Sequence, residues 1–206
     1  MAALLACVAL RMGADLWIAD GVARLEGGAF AWRHAPLLAD IVHTGGRWLS
    51  ITAWCVVTAA WAWLRVCGGH ADLRQRLGLV SVAVLVSTTL IAAWKAGSGV
   101  DCPWDLARYG GMQACHRGFG AVAGHCFPAG HAGAGYAWMA LGVAGRGLGP
   151  RIERAGWAIG LGAGVLFGVA QQLRGAHFAS HDIAAALVCW AVARGVARVA
   201  LPEPAR

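Results

Sequence analysis

Two short strings carry most of this chain's chemistry: Cys126-Phe127-Pro128-Ala129-Gly130-His131 and Arg174-Gly175-Ala176-His177-Phe178-Ala179-Ser180-His181-Asp182. Each sets histidine beside glycine-containing backbone at the edge of an apolar stretch. Arg174 stands three residues before His177, and a guanidinium presents a planar donor fork that suits phosphate oxygens. A histidine acts as a nucleophile when another group orients it. Asp182, five residues after His177, is a carboxylate that could fix the imidazole tautomer. His131 follows Pro-Ala-Gly and opens a predicted helix. Free backbone N–H groups at such a start favour an anion, and an imidazole there can protonate a leaving oxygen. Lys95, the only lysine, ends another apolar run, where it either holds phosphate or snorkels to the membrane surface. Together these groups could hold, attack and release a phosphate.

The elements that must gather them are membrane helices. Of the 206 residues, 59% are hydrophobic and 13% charged, and the mean hydropathy is +0.59. That is too apolar for a soluble domain. A span needs about 20 apolar residues, so residues 1–206 read as one all-α, polytopic membrane domain of about six helices. The predicted spans are 2–19, 47–64, 77–94, 131–146, 156–173 and 183–200. The apolar start reads as a first span rather than a removed signal peptide, because no positive segment precedes it. Within it Arg11 and Asp15 are placed to neutralise each other. Residues 20–46 read as a polar, aromatic-containing segment at the membrane surface, and 95–130 as a long outer loop between the third and fourth spans. Glycines such as Gly160, Gly162 and Gly164 read as helix-packing positions.

Charge sets the expected orientation. The loops 65–76 and 146–155 with the C-terminal end hold nine arginines and three acids, whereas 20–47 and 95–130 hold six cations and five acids. Lysine and arginine accumulate in cytoplasmic loops, so both termini are expected inside. Lys95, His131, Arg174 and His177 then all fall on the outer side. The net charge of +7 is scattered between apolar runs and forms no basic block, which argues against nucleic-acid binding. Cys102, Cys115 and Cys126 lie in the outer loop, where one pair can form, and sequence does not choose which. His34, His43, His70, His116 and His125 receive no role. A haem or metal carrier would need histidines facing one another inside the bundle, and a disulfide-handling protein would be expected to carry a C-x-x-C pair, which is absent.

These strings resemble the type-two phosphatidic acid phosphatase superfamily from about residue 95 onward. Its first motif is lysine, six residues, then Arg-Pro; here Lys95 is followed by six residues and Cys102-Pro103. Its second, Pro-Ser-Gly-His, reads Pro128-Ala129-Gly130-His131. Its third centres on Gly-Ala-His-Phe, found at Gly175-Ala176-His177-Phe178. Aligned on His177, Gln171 stands where the family has arginine and His181 where it has aspartate. The resemblance implies phosphate binding by Lys95, Gly130 and Arg174, a nucleophile at His177 and a proton donor at His131. The orienting role is divided between Asp182 and His181. It implies a phosphatase needing no metal or other cofactor, acting on a lipid phosphate or diphosphate through a phosphohistidine. The expected place is the outer face of a bacterial inner membrane, with the lipid and the bilayer as partners. Phosphate transfer between lipids and inactive lipid binding are the alternatives.

Overall fold

The computed structural model describes residues 13–113 and 124–201. Among them the chain is helical, with no strand. Helix α1 is Asp15–Leu25. Helix α2 covers Leu37–Cys67, wound as a π-helix over Leu37–Gly45 and as an α-helix over Gly46–Cys67. Helix α3 is Ala71–Ala96. The rod α4 has three segments, Gly130–Tyr136, Ala137–Met139 and Ala140–Ala144. Helices α5, Pro150–Leu173, and α6, Ala179–Ala200, complete the set. Among the described residues four helices, α2, α3, α5 and α6, are long and apolar enough to cross a membrane.

The departures from the predicted spans have physical causes. Helix α2 begins at Leu37 rather than 47, directly after Pro36, whose fixed φ suits a helix start. Asp40, His43 and Arg47 lower the hydropathy of its first turns, so that stretch reads as a surface segment. The predicted span 131–146 is α4, only about 22 Å long at roughly 1.5 Å per residue. It is shorter than the hydrocarbon core because it lies inside the bundle: Ala132, Ala137, Met139, Ala140 and Val143 are all buried. Hydropathy cannot tell a helix buried in protein from one buried in lipid. Helix α1 runs past the predicted end at 19; the remainder of the 2–19 span, with Arg11, lies outside the described residues.

Lipid tails are as apolar as leucine, so close approach and hydrogen bonds hold membrane helices together. Gly156, Gly160, Gly164 and Gly168 repeat every four residues along one face of α5. A Cβ on Gly160 would lie 2.2 Å from the backbone nitrogen of Met139, and one on Gly164 would lie 2.1 Å from the Tyr136 ring. This stripe admits α4 against α5. On the other side of α4, Ile91 of α3 fills the space over Gly133, and Ala185 and Cys189 of α6 are fully buried. The outer helix α2 is tied in by hydrogen bonds: Trp54 Nε1 donates to the Ser81 carbonyl at 3.0 Å and Trp138 Nε1 to Ser50 Oγ at 2.9 Å. Gly160→Val is expected to destabilise by about 3 kcal/mol, the upper end of overpacking costs. Gly162, with nothing within 4 Å of its would-be Cβ, should tolerate alanine without loss. Thermal unfolding of both variants in detergent checks the contrast; equal midpoints would contradict it.

Candidate active site

One end of the bundle collects the start of α2, the end of α3, the start of α4, and the α5–α6 turn. Two covers close over it. Phe30, Leu106, Tyr109 and Phe178 form a small apolar cluster with α1. The loop after α3 is pinned by a Cys102–Cys126 disulfide, by Trp104 N–H donating to the Gly175 carbonyl at 2.9 Å, and by Arg33 over the Trp104 ring at 4.0 Å. The disulfide settles a pairing that the sequence left open and joins the segment after Lys95 to the one before His131. Cys115 lies outside the described residues. Gly175 turns the chain between α5 and α6 at φ +70°, and a Cβ there would lie 2.3 Å from the Phe30 ring.

Inside is a cavity of about 720 Å³. Lys95, His131, His177, Gln171, His43 and Arg47 supply its polar wall; Thr88, Ile91, Ala92 and Ala134 continue it as an apolar wall between α3 and α4. Gly130 leaves room for the Lys95 stem, whose Cδ would lie 3.9 Å from a Cβ at that position. His131 Nε2 is buried with no hydrogen-bond partner among the described residues. Such an orphan suits a group that waits for a ligand.

His177 is 6% exposed and sits in the turn before α6. Burial holds its pKa well below the ordinary imidazole value; the Lys95 charge and the neighbouring histidines push the same way, and a hydrogen bond to the Cys126 backbone opposes them. Its Nδ1 lies 3.4 Å from His181 Nδ1. Of the two residues left open as its orienting partner, His181 is therefore the one beside it. Asp182 faces α5 instead: its Oδ2 accepts from Gln172 Nε2 at 2.5 Å and fills the space left by Gly168. One residue's difference along a helix is about 100° of rotation, which separates the two side chains.

Arg174 sits behind the cavity wall rather than in it. Its Nε donates to the Arg33 carbonyl at 2.8 Å and its Nη1 to Gln171 Oε1 at 3.3 Å. Gln171, which does line the cavity, passes the contact on through its Nε2, 2.8 Å from His43 Nδ1. His43 in turn stacks on His131, ring centroids 3.7 Å apart and planes 23° from parallel. Sequence reading gave His43 and Arg47 no role. The available signal was their i,i+4 spacing, which puts both on one face of α2.

Asp15 reaches this site from α1; Arg11, its expected partner, lies outside the described residues. Its carboxylate is 5% exposed and accepts from the Ser180 backbone N–H at 2.9 Å and from the Ser180 hydroxyl. It thus caps, from another helix, the start of the helix that carries His181. A carboxylate at a helix N-terminus satisfies free N–H groups and the helix dipole. Asp15→Ala is expected to cost about 1–2 kcal/mol, read as a lower melting temperature; an unchanged midpoint would remove the cap from the account.

The geometry defines an all-helical membrane protein whose lysine, arginine and histidines meet in one cavity that is polar at one wall and apolar at the other. Residues 76–203, more than half of the chain, match the model of the PAP2 superfamily, and the chain belongs to that superfamily. Members of the superfamily are phosphatases, so phosphatase activity on phosphate esters is the general activity that membership supports. No curated protein and no solved structure matches the chain. The match takes in Lys95, Gly130, His131, Arg174, His177, His181 and Asp182; His43 and Arg47 lie outside it.

Proposed function

We propose that this protein hydrolyses a lipid phosphate or diphosphate through a phosphohistidine, at the outer face of a bacterial inner membrane. The observation that carries the reading is the two-sided cavity. His177, His131 and Lys95 border its polar side, and Thr88, Ile91 and Ala92 of α3 with Ala134 of α4 line an apolar side. A water-soluble phosphate ester would gain nothing from the second wall, whereas an acyl or prenyl chain would.

With Nδ1 against His181, His177 presents Nε2 to phosphorus. The nitrogen–phosphorus bond forms as the bond to the leaving oxygen breaks; His131, whose pKa burial and nearby cations lower to about 3 before substrate binds, takes up a proton as the phosphate's negative charge enters and then gives it to that oxygen from Nε2. Water then attacks the phosphohistidine, with His131 taking the proton back. Lys95 and the backbone N–H groups at Gly130 offset charge on the phosphate oxygens. Two positions where the family carries arginine are Cys102 and Gln171 here, so Arg47, which also lines the cavity, makes up part of the missing positive charge. Arg174 acts through Gln171. The Gln171 amide is oriented by Arg174, so its Nε2 donates to His43 Nδ1. His43 is thereby held as a flat support under His131.

The outward orientation is supported by the arginine-rich opposite end and by the Cys102–Cys126 disulfide, which suits an oxidising compartment. The test is phosphate release by the detergent-purified protein, with chelator present, across lipid monophosphates and diphosphates. Release from a long-chain lipid phosphate, and much less from its short-chain analogue, is expected. Equal rates on both would contradict the lipid reading. Loss of substrate phosphate to an added lipid alcohol, without free phosphate, would make the protein a transferase. Tight lipid binding without turnover would make it a binding-only relative.

A further inference from the structure

His177 borders two cavities. One is the substrate cavity. The other is small, about 10 Å³, and the other polar side chains at its wall are Asp15 of α1 and Gln172 of α5. Ile18, Val22, Pro103 and Phe178 close much of the rest. A space of that size holds about one water molecule, and a buried water needs polar partners of this kind.

The helix cap does not account for the charge on Asp15. A cap needs an oxygen acceptor, and asparagine or serine serves as well as aspartate. Asp15 is nevertheless a carboxylate, 5% exposed, with no ion pair among the described residues, and burying a carboxylate without a counter-charge is costly. His177 has the complementary need. Attack on phosphorus through Nε2 leaves a positive charge on its ring. Lys95, His131 and His181 all push against a positive charge there. His181 meets it through Nδ1 at 3.4 Å, which is long for a hydrogen bond, and an imidazole supplies no negative charge. Asp182 is turned toward Gln172 and Gly168 and lines neither cavity.

We propose that Asp15 is a positioning residue for the phosphoryl transfer: across one water in the small cavity, its carboxylate orients the His177 imidazole and offsets the charge that the ring gains on attack. The proposal rests on the phosphatase reading. No proton passes between the two residues. The ring keeps its Nδ1 proton while Nε2 bonds phosphorus, and the carboxylate acts by its charge alone. Helix α1, which lies outside the matched segment 76–203, thereby enters the site through one side chain.

The experiment compares the full chain with Asp15→Asn, which keeps an oxygen to cap Ser180 and removes the charge. The melting temperature should match wild type. The kcat for phosphate release should fall about tenfold or more, the scale of losing an opposite charge beside an imidazole. The acid limb of kcat/KM should also move to lower pH, because a carboxylate favours the imidazolium. The titratable groups around His177 are Lys95 of α3, His131 of α4, His181 of α6 and Asp15 of α1, with His43 and Arg47 of α2 on the shared cavity; α5 presents the neutral Gln172. A merely structural role has the opposite signature, since loosened packing would wet His177 and carry its pKa back up toward the ordinary value. If Asp15→Asn does not unfold cooperatively, Asp15→Ala takes its place, assayed with added formate and with added formamide. Formate should restore activity and formamide should not. Full kcat in Asp15→Asn, an acid limb that stays or moves upward, or equal rescue by the two additives would overturn the proposal, while wild-type activity would leave the phosphatase reading standing. A wild type that releases no phosphate would overturn both.

Discussion

His177→Ala is expected to lower phosphate release by at least about 10⁴-fold, the scale on which removal of a covalent nucleophile acts. That corresponds to about 5–6 kcal/mol of transition-state stabilisation. His177 is buried in a fixed turn, with His181 beside Nδ1 and Lys95 and His131 across the cavity, so no neighbour can take its place by a rotamer change. Its pH behaviour follows from the same surroundings. Only the neutral imidazole can attack, and burial with nearby positive charge keeps the pKa well below the ordinary value. The acid limb of kcat/KM should therefore fall below about pH 6.5, the value of a free histidine. Stability has the same sign. The unfolded chain binds the proton near pH 6.5 and the folded chain only at lower pH, so acidification below about 6.5 favours unfolding. An acid limb at or above pH 7 would show that His177 is not the group titrating.

The second large effect is expected at His43, outside the matched segment. His43→Ala should lower kcat by about 10–100-fold with KM nearly unchanged, because a misplacement of about 1 Å in a reacting group can cost on the order of 10²-fold. The stack at 3.7 Å fixes the plane of His131, and with it the direction of Nε2. His43→Phe keeps a ring in the stack and loses only the contact to Gln171, so it should recover most of the rate. Full activity in His43→Ala, or equal loss in both variants, would refute the positioning role. Arg47→Ala should act differently, raising KM, since Arg47 lines the cavity and is not part of the His43–His131 stack.

That Lys95, Gly130, His131 and His177 would meet at one cavity was legible in the sequence because the signals are local. Pro128 to His131 and Arg174 to His181 are contiguous strings, and the apolar runs on either side say that a membrane helix begins or ends there. What depends on distant partners was not legible. Asp15 meets Ser180 across 165 residues, and nothing near Asp15 announces it. His43 looks like a surface histidine until α2 is seen to start at Leu37 and lean its first turns over His131. Composition allowed three cysteine pairings, and only the folded loop selects Cys102 with Cys126. The choice between His181 and Asp182 turned on one residue of helical rotation, which spacing alone leaves open. Arg174 has the right type and spacing for phosphate, yet its Nε donates to the Arg33 carbonyl, 141 residues away in the chain, and its Nη1 to Gln171.

The central claim is that phosphate passes through His177. The most direct measurement is to mix the purified protein with a ³²P-labelled lipid phosphate, quench in alkali during turnover, and map the labelled peptide. The account predicts an alkali-stable, acid-labile label on His177, absent from His177→Ala. Rapid turnover with no labelled protein, or label on another residue, would contradict it.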